Sequence, residues 1–438
     1  MAHSHGGAGG HVHAAHADPD HPRAPLDPAA RAEARRGRRR AATVLAAVLL
    51  PMLAATVAGL VLLWPDGSRP AAALDFAAGG VTFPRATITT LTTAPCALAT
   101  GPEGATPAPP PEDPPICGTA DVRVDDGPDR GTQVRIDVPP EVVEAGEGAG
   151  VILLKTPEQA ESPATFSIYD VQRGRPLVVL ALIFGVLAVA VARLRGLLAL
   201  VGLAFAGLVL VTFMLPALVA GSSPLLVGLT ASAAIMFVVL YLAHGFSLRT
   251  TTALLGTFAG LGLTAVVGVL SVRAAHLTGI SSDDNTLLAQ TATQLDLRAL
   301  LTCGIVLAGL GVLNDVTITQ ASAVWELREV APDMPAGRLY RTAMRIGRDH
   351  IASTIYTIVF AYAGAALPVL LLIELYGQPL TTVLTSADIA EELVRTMASA
   401  VGLVMAVPMT TGLAVAVALS GARTTARTTS RRAPEPAA

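Results

Sequence analysis

The sequence predicts an α-helical polytopic membrane protein of about eight transmembrane helices, with a small extracytoplasmic β-rich domain, barrel- or sandwich-like, between helices one and two. Three observations carry this. Apolar residues make up 52% of the 438 and charged residues only 14%, a balance foreign to soluble domains. The apolar residues are gathered into separate runs near the ~20 residues that cross a bilayer. One long polar stretch interrupts them, and it alternates with the period of strands rather than helices.

In chain order, residues 1–42 read as a disordered cytoplasmic tail rich in His and Arg. His3, His5, His11, His13, His16 and His21 stand there among Gly, Ala, Asp and Pro. Neutral imidazoles chelate transition metals, but a loosely spaced tail holds no preformed site, so these are weak metal candidates beside the plainer reading of a solvated leader. Residues 43–64 follow as a signal anchor. The run is longer than the roughly 7 to 15 apolar residues of a cleaved signal, and it ends in Trp64-Pro65, where an interfacial aromatic belongs.

Residues 65–175 form the extracytoplasmic domain. The run 81–93 alternates β-branched and small residues, while Val122-Arg123-Val124 and Val134-Arg135-Ile136-Asp137-Val138 alternate apolar with charged. With the apolar run 151–154 they suggest five or six short strands. An insert at 100–115, dominated by Pro and Gly, reads as an extended loop. Cys96 and Cys117 bracket it in a compartment where disulfides persist, so a bridge is expected, with two free thiols as the alternative. Cys303 reads as a packing residue inside a helix.

The membrane domain, 176–420, takes seven more spans at 177–192, 197–215, 224–243, 252–272, 300–327, 351–373 and 396–419. Little more than Arg193-Leu194-Arg195-Gly196 separates the first two, which suits a tight helical hairpin. Residues 421–438 are a second disordered tail. Basic residues set the orientation, because Lys and Arg near short loops stay in the cytoplasm. Arginines crowd 23–40, 423–432 and the loops at 193–195, 249 and 328–348, whereas the opposite short loops hold only Arg273, Arg298 and Arg395. Both termini are therefore expected inside, in a bacterial plasma membrane. Between spans five and six, the loop 281–285 caps a short outer segment at 286–297.

Polar residues inside the spans mark the candidate site. Asn314 and Asp315 interrupt the sixth span, and Asp315, Thr319, Ser322 and Glu326 recur at steps of four, three and four, on one helical face. An ionised Asp in hydrocarbon costs about 2.5 to 3.5 kcal/mol on insertion scales, so this face is expected to look into protein or water. The seventh span begins at Asp349 and carries Thr354, Thr357 and Tyr362. The eighth enters as Glu391-Glu392 with Arg395 one turn on, where Glu391 and Arg395 are placed to pair, and Pro408 interrupts its hydrogen-bond ladder. Gly256 and Gly260, like Gly304, Gly309 and Gly311, favour close helix packing.

Three ordered segments give the chain a family likeness. They are Gly309-Leu310-Gly311-Val312-Leu313-Asn314-Asp315-Val316-Thr317-Ile318, then Gly347-Arg348-Asp349-His350-Ile351 with Ala361-Tyr362-Ala363-Gly364, then Glu392-Leu393-Val394-Arg395-Thr396 with Val407-Pro408. In these the chain resembles the YibE/F-like membrane proteins, over residues 131–419 when the weaker match at Tyr169-Asp170-Val171-Gln172-Arg173 is included. The resemblance implies a multi-pass protein with a soluble segment near its N-terminus, and it brings no assigned catalytic or binding residue. His350 departs from the aliphatic residue of that pattern.

A transporter or permease of unknown solute is the favoured expectation, with Asn314, Asp315, Thr319, Ser322, Glu326, Asp349, Thr354, Thr357, Tyr362 and Arg395 forming a polar path on helices six to eight. Asp315 would load and release a proton or small cation, while Glu326 and Asp349 guide ions at the cytoplasmic mouth. Against it stands a register-fixing role, in which Asp315 accepts hydrogen bonds from neighbouring helices. The alternative class is a membrane scaffold or accessory subunit whose β domain binds a partner; deleting residues 74–169 abolishes activity only under that reading. No hydrolase triad, HExxH or phosphate loop appears, so no enzyme, cofactor or nucleic-acid partner is expected. The expected partners are the bilayer and a membrane partner or second copy of the chain.

Overall fold

A computed structural model describes residues 28–65, 80–96, 116–158, 164–377 and 379–420. The histidines of the leader, the Pro-rich insert and the C-terminal tail lie outside the described residues. Helix α1 spans Pro28–Leu62, so it begins well inside the segment expected as tail. Its early sequence, Ala-Arg-Ala-Glu-Ala-Arg-Arg, is built of strong helix formers that sustain the helix beyond the apolar run. Gly37, Ala41, Leu45 and Leu49 recur every four residues on its buried side.

The β domain holds β1 (Arg85–Pro95), β2 (Ile116–Val124), β3 (Gln133–Val138), a short helix α2 (Pro140–Val143), β4 (Gly150–Thr156) and β5 (Thr165–Val171). All neighbours are antiparallel, in the order β3-β2-β1-β4-β5, and β3 also approaches β5, so the sheet curls into a half-barrel. A bulge between Ile88 and Thr90 helps β1 bend. Alternate residues fill the interior, among them Ala86 and Ile88 on β1, Ala120, Val122 and Val124 on β2, and Val151 and Leu153 on β4. Cys117 lies opposite Ala94 in the β1–β2 ladder, and the Cys96–Cys117 disulfide is present.

The helical domain opens with α3 (Gly174–Val209), a π-helical turn (Leu210–Met214) and α4 (Leu215–Val219). At Arg193 the backbone leaves the helix with φ 52° and ψ −132°. Beyond it the chain doubles back: a Cβ on Gly196 would strike the Ala188 carbonyl, and one on Gly185 would lie 3.8 Å from Leu200. Along an unbroken helix Gly185 and Leu200 would be ~22 Å apart. The expected hairpin is therefore there, and its outer faces are apolar and exposed.

There follow α5 (Pro224–His244), α6 (Leu248–Ala274), α7 (Asp283–Thr291), α8 (Leu297–Val330), α9 (Ala336–Ala365), α10 (Leu367–Tyr376), α11 (Leu380–Leu384) and α12 (Ala387–Ser420). Ser282 caps α7, its Oγ accepting from the Asn285 amide at 3.2 Å, as the loop sequence implied. The span expected at 351–373 is not one rod: α9 and α10 meet at 63°. Pro368 lacks the amide that would continue the ladder, and its ring crowds the carbonyl four residues back. Pro408, by contrast, leaves α12 one helix. Among the described residues six helices are long and apolar enough to cross a membrane, or seven with the bent pair, where the doubled-back α3–α4 segment counts once.

Helices α6, α8 and α12 form the centre, held close by glycine. A Cβ on Gly260 would meet Leu313 at 2.7 Å and Ala406 at 2.9 Å, while Gly256 abuts Thr410 and Gly402 abuts Thr264. Two of the hydroxyls between the helices are turned to backbone: Thr264 Oγ1 donates to the Gly260 carbonyl at 3.0 Å, and Thr411 Oγ1 to that of Val407 at 2.7 Å. Cys303 is fully buried against Gly228, as a packing residue.

Candidate functional site

The sixth expected span is α8, whose N-cap Asp296 accepts from the Ala299 amide at 3.1 Å. Its two sides differ in kind. The buried side carries Ile305, Leu313, Val316, Thr317, Ala321 and Val324. The open side runs Gly304, Ala308, Gly311, Asp315, Thr319, Ser322 and Glu326, every member exposed or half-buried. At Gly304 and Gly311 a Cβ would meet nothing within 4 Å. Of the glycines expected to aid packing, Gly309 does so against Thr264 and Ser399, whereas Gly304 and Gly311 floor an open strip.

Asp315 is exposed on this strip, about halfway along α8. Of the two settings expected for this face, protein or water, the described residues leave it open and turned away from the interior of the bundle. The reason is steric: α6 and α12 approach α8 through Gly260 and Ala406 against Leu313, leaving the face with Asp315 turned outward. Among the described residues its carboxylate has no hydrogen-bond or ion-pair partner, so it is not fixing a neighbouring helix. The hydroxyls beside it are taken up by their own helix, Thr319 Oγ1 donating to the Asp315 carbonyl and Ser322 Oγ to that of Ile318, each at 2.7 Å. Asn314 is half-buried, and its Oδ1 is shielded without a donor.

The remaining predicted residues sit in separate groups. On α9, Thr354 and Thr357 donate to the carbonyls of His350 and Ser353, and Asp349 is exposed near the start of the predicted span. Gly347 packs against Gln320, and at ~1.5 Å per residue Thr354 stands about 10 Å further along α9. Tyr362 lies within electrostatic reach of Glu392 and Arg395. Arg395 pairs with Glu392 at 3.4 Å and not with Glu391 as expected. Glu391, 4% exposed, instead accepts from the Gly279 amide at 3.0 Å and from Ser281 Oγ at 2.7 Å, because the loop after α6 brings in donors that have no helical partner.

Glu326 ends the strip, 3.8 Å from Arg249, at a cleft of about 740 Å³. Sequence reasoning missed Gln320. It is 2% exposed, and its Nε2 donates to the Ala343 carbonyl at 3.0 Å and to Thr411 Oγ1 at 2.7 Å, tying α8 to α9 and α12. The signal was an amide five residues after Asp315, on a different face of the same helix. Among the described residues no three His, Cys, Asp or Glu side chains converge to hold a metal.

Half-barrel and helices together define a membrane-embedded protein, mostly helical, with its polar groups concentrated on one helix and its immediate neighbours. The family model of the YibE/F-like protein matches residues 180–419, more than half the chain, and the chain belongs to that family. The match covers the helices from α3 to α12 and leaves the half-barrel outside, a narrower span than the 131–419 expected. No curated protein and no solved structure matches the chain.

Proposed function

We propose that the protein is a permease in which the open face of α8 forms one wall of a path for a proton or small cation. The carrying observation is the partnerless carboxylate of Asp315 halfway along a 34-residue apolar helix. Lipid against that group would cost about 2.5 to 3.5 kcal/mol, a penalty that water in a groove removes. Gly304, Ala308 and Gly311 support this, because side chains this small leave room beside the acid. In this reading the hairpin at Arg193 and the bent α9–α10 pair are membrane passages, eight passages in all with both termini in the cytoplasm.

Reconstitution into vesicles with an imposed ion gradient tests the proposal. Wild-type protein dissipates the gradient, and Asp315→Asn slows it at least tenfold while the thermal midpoint in detergent stays put. Equal rates for the two proteins remove α8 as the path.

A further inference from the structure

The cleft at Glu326 is lined by helix ends, and Glu326 is the residue it shares with the polar strip. It opens where α6 begins and α8 ends, and α1 supplies a third wall through Arg38. Three guanidinium groups meet there with most of their donors unspent. Among the described residues Arg38 has no partner. Arg249 touches Glu326 only at 3.8 Å, and Arg328 Nη1 donates to the Met334 carbonyl at a long 3.4 Å. Glu326 and Glu329 are the opposing charges in the lining. The first turn of the 27-residue α6, where Ser247 Oγ already accepts from the Thr250 amide, adds the amides of Leu248 and Arg249 and the positive end of a helix dipole.

The lining also has apolar members, Trp325 and Leu248 with Val417 of α12. An inorganic anion would use the arginines and leave these side chains wet. A ligand with an anionic head and an apolar body uses both. Of the basic segment Arg35 to Arg40 on α1 only Arg38 lines the cleft, and Trp beside Arg is the pairing that favours a boundary between lipid and water.

We propose that the cleft is a binding site for an anionic phospholipid, with the phosphate between Arg38, Arg249 and Arg328 and the acyl chains leaving past Trp325 and Val417. The site shares Glu326 with the polar strip, but its test reads binding alone and holds whether or not α8 carries a solute. Delipidated full-length protein in mild detergent is titrated with phosphatidylglycerol, phosphatidylcholine or inorganic phosphate, followed by native mass spectrometry and thermal unfolding. Phosphatidylglycerol binds in preference to phosphatidylcholine and raises the midpoint. Each arginine contributes about fivefold, so Arg38→Gln weakens the lipid about fivefold, and Arg38→Gln with Arg328→Gln about 25-fold. Arg36→Gln, on the same helix but outside the cleft, leaves binding unchanged. Arg38 is exposed and partnerless, so its removal does not threaten the fold. Equal binding of phosphatidylcholine overturns the proposal, as does an equal loss from Arg36→Gln. Inorganic phosphate matching the lipid at the same concentration overturns it too, since the site would then take free anions.

Discussion

Gln320 and Asp315 lie on one helix and have opposite fates, which shows what fixes a polar residue in this bundle. Gln320 is enclosed and gives both amide hydrogens to neighbours on α9 and α12. Replacing it with Ala leaves the Ala343 carbonyl and Thr411 short of a donor in a dry site, a loss of about 1 to 3 kcal/mol. Thr319, bonded only to its own helix, loses little as Ala. Thermal unfolding of Gln320→Ala and Thr319→Ala in the same detergent checks the contrast; equal midpoints would remove Gln320 as a tie. The sequence showed that Asp315, Thr319, Ser322 and Glu326 share a face. It did not show which way that face turns, because Gly, Ala and Val populate both sides of α8 and the apolar pattern has no sharp minimum. Glu391 was misread for a similar reason: helical spacing favoured Arg395, and nothing local announced the donors of a loop more than a hundred residues away.

Elements were more legible than partners. Apolar runs of bilayer length located most of the helices, and Arg193 to Gly196 located a reversal that needs a residue at positive φ and a glycine against a carbonyl. The bend at Ala366 was missed, although Pro368 was in view, because the apolar run continues through it. Strand β5 was missed too, its alternation of Phe166 and Ile168 with Thr165 and Ser167 lying beside the second apolar span. Within the half-barrel, the Cys96–Cys117 bridge closes a loop of 21 residues. Its reduction, or Cys96→Ser with Cys117→Ser, lowers stability by roughly 3 kcal/mol in the chain-entropy account. Tryptic digestion with and without reductant reports the change as faster cleavage in the β region. A pH effect joins it. Hydrogen bonds from Arg135, Arg85 and Arg173 hold the carboxyls of Asp121, Asp126 and Asp170 below their ordinary 3.8. Groups depressed in the folded state stabilise it above the unfolded value and lose that contribution as pH falls through the folded one. The half-barrel therefore weakens below about pH 3.8, modestly because these pairs are at the surface. Arg135→Gln brings the acid transition to higher pH, and an unmoved transition refutes the assignment.

At the scale of the whole molecule, the exposed surface of the helical domain is of two kinds. Along the arms of the hairpin it is apolar, with Leu182 62% exposed and Phe184 57%, as suits a lipid-facing wall. Along α8 it is small and polar, with a carboxylate at its centre. A bilayer treats these two differently, and thiol chemistry distinguishes them. The native cysteines do not interfere, two being bridged and Cys303 buried, with its thiol shielded by packing. A single Asp315→Cys in reconstituted protein reacts with a membrane-impermeant, charged maleimide if water reaches the strip. Leu182→Cys, surrounded by acyl chains, does not, since the thiolate that reacts does not form in hydrocarbon. Glu326→Cys, at the open end of the strip, sets the upper rate. The permeation reading places Asp315→Cys within about tenfold of Glu326→Cys, slowed only by the depth of the groove. A rate no greater than that of Leu182→Cys means that lipid or another protein surface covers the acid, and a hydrated path along α8 is then excluded.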